Sequence, residues 1–258
     1  MSEIIKKLYW FFSSQLGIDF WRLIKSMNGV PRYFLGVFQY SRKYKGRFEL
    51  RPCLFDWYEE GGITKNEYFW QDLYIARQIF QANPIKHVDI GSRIDGLVAH
   101  VASFRDIEVF DIRPITAKIS GIIFKQADLM NPPAYLVDYC DSLSCLHALE
   151  HFGLGRYGDP IDPQGGINGL KNMSIVLRKG GVFYLSVPIG IERVEFNAHQ
   201  IFDPFKLTQI ASEFGLKLKE FSWYDANFGL IQSSNIERDM LQLSENRYAL
   251  GIFSFQKI

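Results

Sequence analysis

The segment VDIGSRIDG, Val88–Gly96, constrains this chain most: an apolar strand runs into a glycine turn and then into a helical pattern. Such a turn brings backbone N–H groups and a helix N-terminus to the carboxyl end of a parallel sheet, where ligands bind in doubly wound proteins. The pattern of strand, turn and helix continues downstream. Strands are expected at His87–Ile90, Ile107–Ile112, Ile122–Gln126, Ser142–Leu146 and Val182–Val187, and a helix over roughly Asp95–Phe104. A further helix spans about Gly166–Leu177. Asp203-Pro204 opens another, with Asp as N-cap and Pro in the first turn, and Gly215 closes it. Strands near Leu216–Trp223 and Tyr248–Phe255 end the chain, read as joined by a long loop. A reversed last strand fits a Rossmann-like, mostly parallel α/β sheet with an antiparallel edge. The connections after the second and third strands are too short for long helices.

The chain of 258 residues divides, on this reading, into an N-terminal helical and irregular cap, 1–65, and a Rossmann-like domain, 66–258. A helix from about Glu67 to Gln81 opens the second part, and Asn83-Pro84 ends it. In the first part, Ile4, Ile5, Leu8, Phe11 and Phe12 recur at helical spacing, as do Phe20, Leu23, Ile24 and Met27, with Lys6, Lys7, Arg22 and Lys25 among them. A break is expected at Gly29–Pro31, and an irregular basic stretch at Ser41–Arg47. Aromatic stripes of this kind ordinarily pack on a core, so a cap is favoured. An interfacial helix touching a membrane and a homodimer contact are the alternatives. The apolar run Leu8–Phe12 is far shorter than the roughly 20 residues that a spanning helix needs. A net charge of +1 gives no electrostatic reason to expect nucleic acid. The three cysteines (Cys53, Cys140, Cys145) lack metal-ligand spacing and suit a reducing, cytoplasmic setting.

The cofactor half of the chain is read from strand ends. Gly91, Ser92 and Arg93 form the turn, and Asp89 is placed to hold the hydrogen-bond network around the methionine end of a bound cofactor. Asp111 ends the second strand 20 residues after Gly91, a spacing suited to ribose hydroxyls, with Ile112 beside it. Asp128 ends the third strand within reach of an adenine amino group, and Leu129 is placed against the ring. A dinucleotide fingerprint needs glycines at positions 91, 93 and 96, but position 93 is Arg. The missing glycine is the one that admits a pyrophosphate, so the expected cofactor is S-adenosylmethionine rather than NAD.

LHALEHFGLGRYGDP, Leu146–Pro160, follows the fourth strand, and Asn197 and His199 follow the fifth. Adjacent strand ends bring the two groups to one cleft. His151 and His199 are the candidate general bases, because an unperturbed imidazole titrates near neutrality. Glu150 is placed to orient an imidazole or a substrate hydroxyl. Arg156, Tyr157, Asp159 and Asn197 are the candidate substrate-binding residues, Arg156 as a clamp for an anionic group. His147-Ala-Leu-Glu150-His151 also matches the H-x-x-E-H spacing of a zinc peptidase class, but that chemistry needs a stable helix, and Gly153, Gly155 and Gly158 follow at once. Zinc hydrolysis ranks below methyl transfer, and no metal is expected.

YFWQDLYIARQI, HVDIGSRIDG, LHALEHFGLGRYGDPIDPQG and SVPIGIERVEFNAH together resemble the domain-of-unknown-function family 268, over roughly Tyr68 to Phe202. That family is similar to class I S-adenosylmethionine-dependent methyltransferases. The resemblance implies the seven-stranded methyltransferase sheet, a small-molecule acceptor and an association with surface-polysaccharide synthesis. The expected activity is methylation of a hydroxyl on a sugar or sugar-linked intermediate. A catalytically silent binding or assembly partner with the same fold is the rival.

Overall fold

A computed structural model describes residues 3–62 and 64–258. The chain separates into two compact units, Met1–Ile63 and Thr64–Ile258.

In the first unit, α1 (Glu3–Trp10) runs into a π-helical turn, and α2 (Phe20–Ser41) follows. Asp19 caps α2 by accepting from the Arg22 amide at 3.0 Å. The break expected at Gly29–Pro31 does not occur: α2 passes through both residues. Gly29 is buried against the Leu54 carbonyl, where a Cβ would collide, so the segment around Leu54 braces the turn that Pro31 weakens.

The second unit opens with α3 (Glu67–Ala82), capped by Asn66 and closed by Asn83 in the left-handed region at φ 41°. Then come β1 (His87–Ile90), a π-helical turn at Ile94–Val98 leading into α4 (Ala99–Ala102), β2 (Ile107–Asp111), β3 (Ile122–Gln126) and β4 (Cys140–Leu146). The helix after β1 is shorter than its periodicity predicts, because Gly96 has non-helical φ/ψ and packs against the Asp72 carboxylate of α3. Next are α5 (Gly165–Val176), β5 (Leu177–Ile189), the hairpin β6 (Arg193–Glu195) and β7 (His199–Ile201), and α6 (Pro204–Glu213). Asp203 caps α6 as expected, accepting from the Phe205 and Lys206 amides. The chain ends with β8 (Leu216–Asp225), β9 (Gly229–Gln232), α7 (Ile236–Ser244) and β10 (Ala249–Lys257). The long loop expected between the last two predicted strands is therefore a short strand and a helix. Asn235 caps that helix, and Met240 and Leu243 bury its apolar face.

The strand order is β3-β2-β1-β4-β5-β10-β8-β9. The first five strands are parallel, and β10 runs antiparallel between β5 and β8. The last strand is reversed, as expected; it lies inside the antiparallel end of the sheet with β8 and β9 beyond it, and its seven buried residues read as the continuous apolar run of a strand covered on both faces. One core packs α5, α6 and α7 on one face of the sheet, around Leu143, Phe183, Leu185, Phe253 and Phe255. The other packs α3 and the Leu97–Val101 turns against Ile107, Val109, Tyr184 and Ile252. Parallel register sets Asp89 opposite Ser144 on the α3 face. There the Ser144 and Ser92 hydroxyls donate to Asp89 at 2.5 and 2.7 Å, and the Ser92 amide donates at 3.0 Å.

Candidate active site

A cleft of about 780 Å³ opens where β1, β2, β3 and β4 end. Its volume falls within the roughly 300–1,000 Å³ typical of small-ligand sites. Gly91, Ser92, Arg93, Asp111, Ile112, Asp128 and Leu129 line one end. Gly91 turns the chain at φ 69°, and its N–H donates to the Phe110 carbonyl at 2.9 Å. Asp89, by contrast, lies beneath the cleft, fully buried. Burial pushes its carboxyl up to about 6 against the hydrogen bonds of Ser144 and Ser92. Its role is to hold Ser92, whose hydroxyl in turn accepts from the Leu146 amide at 3.1 Å and ties the turn to β4.

Asp111 is engaged by Arg113, through Nη2 at 2.6 Å, Nε at 3.0 Å and the backbone amide at 2.8 Å. A carboxylate accepts about four hydrogen bonds, so Asp111 keeps capacity for a ribose hydroxyl. Arg93, the residue in place of a glycine, turns its guanidinium to Asp95 at 2.6 Å, 5.4 Å from the Tyr68 ring centre. The lining at this end fits a nucleoside without pyrophosphate: carboxylates that accept from ribose hydroxyls and an adenine amino group, and apolar Ile112 and Leu129 for a ring.

The other end is built around His147, which has positive φ (51°) at the end of β4. A non-glycine residue held there stores roughly 1–3 kcal/mol of backbone strain, a pattern concentrated at functional sites. His147 Nδ1 lies 2.8 Å from Glu150 Oε1, Nε2 makes an ion pair with Glu67 Oε1 at 3.3 Å, and the Tyr68 ring lies tilted over the imidazole with ring centres 4.5 Å apart. Tyr248 donates to Glu67 at 2.6 Å. Burial opposes charge on His147, but the two carboxylates outweigh it and push the imidazole up to about 9. At neutral pH His147 is therefore a cation clamped between two anions, not a base. Glu150 is almost wholly buried, and its Oε2 has no hydrogen-bond partner among the described residues. A buried carboxylate oxygen left so costs about 1–3 kcal/mol or more, which a ligand donor would recover.

Of the two candidate bases, His151 is the better placed. Its Nδ1 lies 2.8 Å from the Ala198 carbonyl, so Nδ1 carries the proton and Nε2 keeps its lone pair, 3.7 Å from Glu150 Oε1. Burial lowers its pKa, the Glu150 charge offsets part of that, and Arg156 adds to the lowering. His199, on β7, also lines the cleft and is lowered by burial, but its Nε2 faces Glu195 at 3.5 Å.

Of the substrate-binding candidates Arg156, Tyr157 and Asp159 line the cleft, and Asn197 does not. Asn197 is exposed in the β6–β7 turn. The Asp159 carboxylate gathers the amides of Gly153, Gly155 and Tyr157 at 2.9–3.1 Å, which makes it the organiser of the glycine-rich loop. Arg156 donates to the Ala198 carbonyl at 2.7 Å and tethers that loop to the hairpin. Tyr157 bridges the two ends of the cleft, its ring 4.3 Å from the Arg113 guanidinium and 5.1 Å from that of Arg156.

Sequence reasoning missed Glu67, Tyr68 and Tyr248, and gave His147 a role only in the zinc alternative. Glu67 reads as an ordinary first-turn acid, and Tyr248 as the start of a strand. The Asp111-x-Arg113 spacing did carry a signal of pairing. The helix that zinc chemistry requires is absent, since Leu149–His151 is a single 3-10 turn. Among the described residues no group of three or more His, Cys, Asp or Glu side chains is arranged to hold a metal ion.

The profile of the family described as "Caenorhabditis protein of unknown function, DUF268" matches residues 111–252. No curated protein matches the chain. Solved structures do match its fold. A Galdieria sulphuraria protein provisionally assigned as a sarcosine dimethylglycine methyltransferase has a TM-score of 0.51 at 14% identity, over 72% of this chain and 84% of that one. An S-adenosylmethionine-dependent methyltransferase from Thermotoga maritima gives 0.50 at 12%, over 75% and 91%. Phosphoethanolamine N-methyltransferase 2 of Haemonchus contortus, in complex with S-adenosylmethionine, gives 0.50 at 13%, over 72% and 52%. These likenesses establish the Rossmann-like class I methyltransferase fold, here with β9 as an added edge strand.

Proposed function

We propose that this chain, which belongs to the domain-of-unknown-function family 268, is an S-adenosylmethionine-dependent methyltransferase that methylates a hydroxyl of a small, sugar-type acceptor. The observation that carries this reading is Glu150: a buried carboxylate oxygen without a donor, lining the same cleft as the cofactor-type strand ends. Gly91, Ser92, Asp111, Asp128 and Leu129 would hold the cofactor. When bound, it supplies an electrophilic methyl group on a sulfonium.

The acceptor end supplies orientation and a proton sink. An acceptor hydroxyl donates to Glu150 Oε2, and a sugar face has Tyr68 and Tyr157 to lie against. His151 Nε2 takes the proton of a neighbouring hydroxyl, whose oxygen turns nucleophilic. The imidazolium so formed is stabilised by Glu150, which His147 and Glu67 keep in place. Positioning supplies much of the rate in such a displacement, since it converts a bimolecular step into one within a complex. Calorimetric titration with S-adenosylmethionine tests the cofactor half, and saturable binding is expected. No binding at millimolar ligand overturns the proposal. Transfer of labelled methyl to a panel of sugar acceptors tests the other half, and transfer confined to amine acceptors would exclude the hydroxyl assignment.

A further inference from the structure

The first unit turns its helix inside out relative to an ordinary soluble packing. Along α2, Phe20, Leu23, Ile24, Met27, Phe34, Leu35 and Phe38 recur at helical spacing and form one stripe. Yet the chain that folds back on α2 within this unit covers the opposite, basic face. Gly29 lies against Leu54, the Arg22 guanidinium and Lys25 ammonium sit 4.9 and 5.8 Å from the Phe55 ring centre, and Arg32 sits 3.9 Å over Trp57. The apolar stripe is left 49–64% exposed. In α1, Ile4, Ile5 and Leu8 are likewise exposed, as are Trp10, Phe11 and Trp21 nearby.

Charge identifies what such a face suits. The first unit holds ten Lys and Arg against six acids, of which only Glu3 and Asp19 precede residue 49, although the whole chain balances to +1. Asp19 is itself engaged by Tyr9 at 2.8 Å and by the α2 cap. Among the described residues no helix is long and apolar enough to cross a membrane, so α2, about 33 Å long at ~1.5 Å per residue, can only lie along one. A basic helix pair with an apolar aromatic stripe has the composition of an interfacial element: rings at the headgroup boundary, cations toward anionic phosphates.

We propose that α1 and α2 dock this chain on an anionic phospholipid surface, with the α2 stripe in the headgroup–acyl boundary. The inference is independent of the methyl-transfer reading. Co-sedimentation of the full chain with phosphatidylglycerol-containing vesicles, against pure phosphatidylcholine, tests it. Binding is expected to favour the anionic vesicles and to weaken as salt rises. Met27→Glu with Phe34→Glu changes two exposed side chains, so the fold is retained by circular dichroism while vesicle binding falls roughly tenfold or more. Replacing Lys6, Lys7, Lys43 and Lys45 by Gln abolishes the preference for anionic lipid but not the helices. The proposal is overturned if the full chain stays in the supernatant, or if the Met27→Glu, Phe34→Glu variant sediments like the parent. It is equally overturned if that variant splits a solution dimer while neither protein binds vesicles, which would assign the stripe to a second copy.

Discussion

At the cofactor end of the cleft, the lining residues between Gly91 and Asp128 come from one run of strand, turn and strand. At the acceptor end, Glu67, His147, Glu150, His199 and Tyr248 come from α3, from the turn that follows β4, from β7 and from the residue before β10; the Tyr248–Glu67 hydrogen bond alone spans 181 residues. The first end is a set of groups fixed by adjacent backbone, each able to act for itself. The second is a coupled charge network in which Glu150, His147 and Glu67 hold one another. Loss of one member leaves the others buried and uncompensated, so effects there are larger and non-additive.

The largest effect is expected from His151→Ala and Glu150→Gln, which remove the base and its carboxylate. The methylation rate should fall by roughly 10²–10⁴-fold, the usual worth of general acid–base catalysis, while calorimetry shows cofactor affinity unchanged. Equal loss of cofactor binding would mean that the two ends are not separate.

The converse substitution, Asp111→Ala, should weaken cofactor binding by roughly ten- to a hundredfold, from loss of charge-assisted hydrogen bonds worth about 1.5–3 kcal/mol. Turnover at saturating cofactor should stay near the parent value. A collapse of turnover instead would show that Arg113, freed from Asp111, disturbs the acceptor end through Tyr157.

The network also makes a pH prediction. The folded pKa of His147 is raised from 6.5 to about 9. Its contribution to stability is thus complete below about 6.5 and is lost as pH rises through 9. Thermal midpoints should fall over that window, and the rate should fall on the same basic limb as Glu150 loses its cationic partner. Glu67→Gln, which removes one of the two raising charges, should move the limb to lower pH. On the acid side, His151 is lowered, so the rate should rise to its plateau below the usual imidazole range.

The smallest effect is expected at the bridge. Tyr157→Ala removes cation–π contacts worth roughly 0.5–1 kcal/mol, so cofactor affinity and acceptor KM should each weaken by a few-fold. A change in one without the other would assign the ring to a single end.

Legibility in the sequence follows the same division. Gly91, Asp111, Asp128 and the Asp203 cap are short-range features, in which a turn or a strand end fixes the residue's place. The interior position of β10 and the helix α7 were not legible, because strand order depends on long-range pairing that periodicity does not encode. Glu150 and His151 could be nominated, with candidate roles, from their density of functional groups, but the distances that bear on those roles could not. Glu150 lies nearer to His147, at 2.8 Å, than to His151, at 3.7 Å, and Asp159 serves the backbone.

By itself the sequence determined the parallel α/β class and the glycine turn with its two acidic strand ends. Those rest on local sterics and on periods of two and 3.6 residues, which neighbouring residues enforce. The tertiary structure alone decided that Glu67 and Tyr248 join His147 and Glu150, and that His147 stands as a buried cation while His151 keeps a free lone pair. It also decided that the apolar stripe of α2 faces away from the segment that folds back on it. Charge state and burial are set by whichever groups the fold brings within a few ångströms, at whatever distance along the chain.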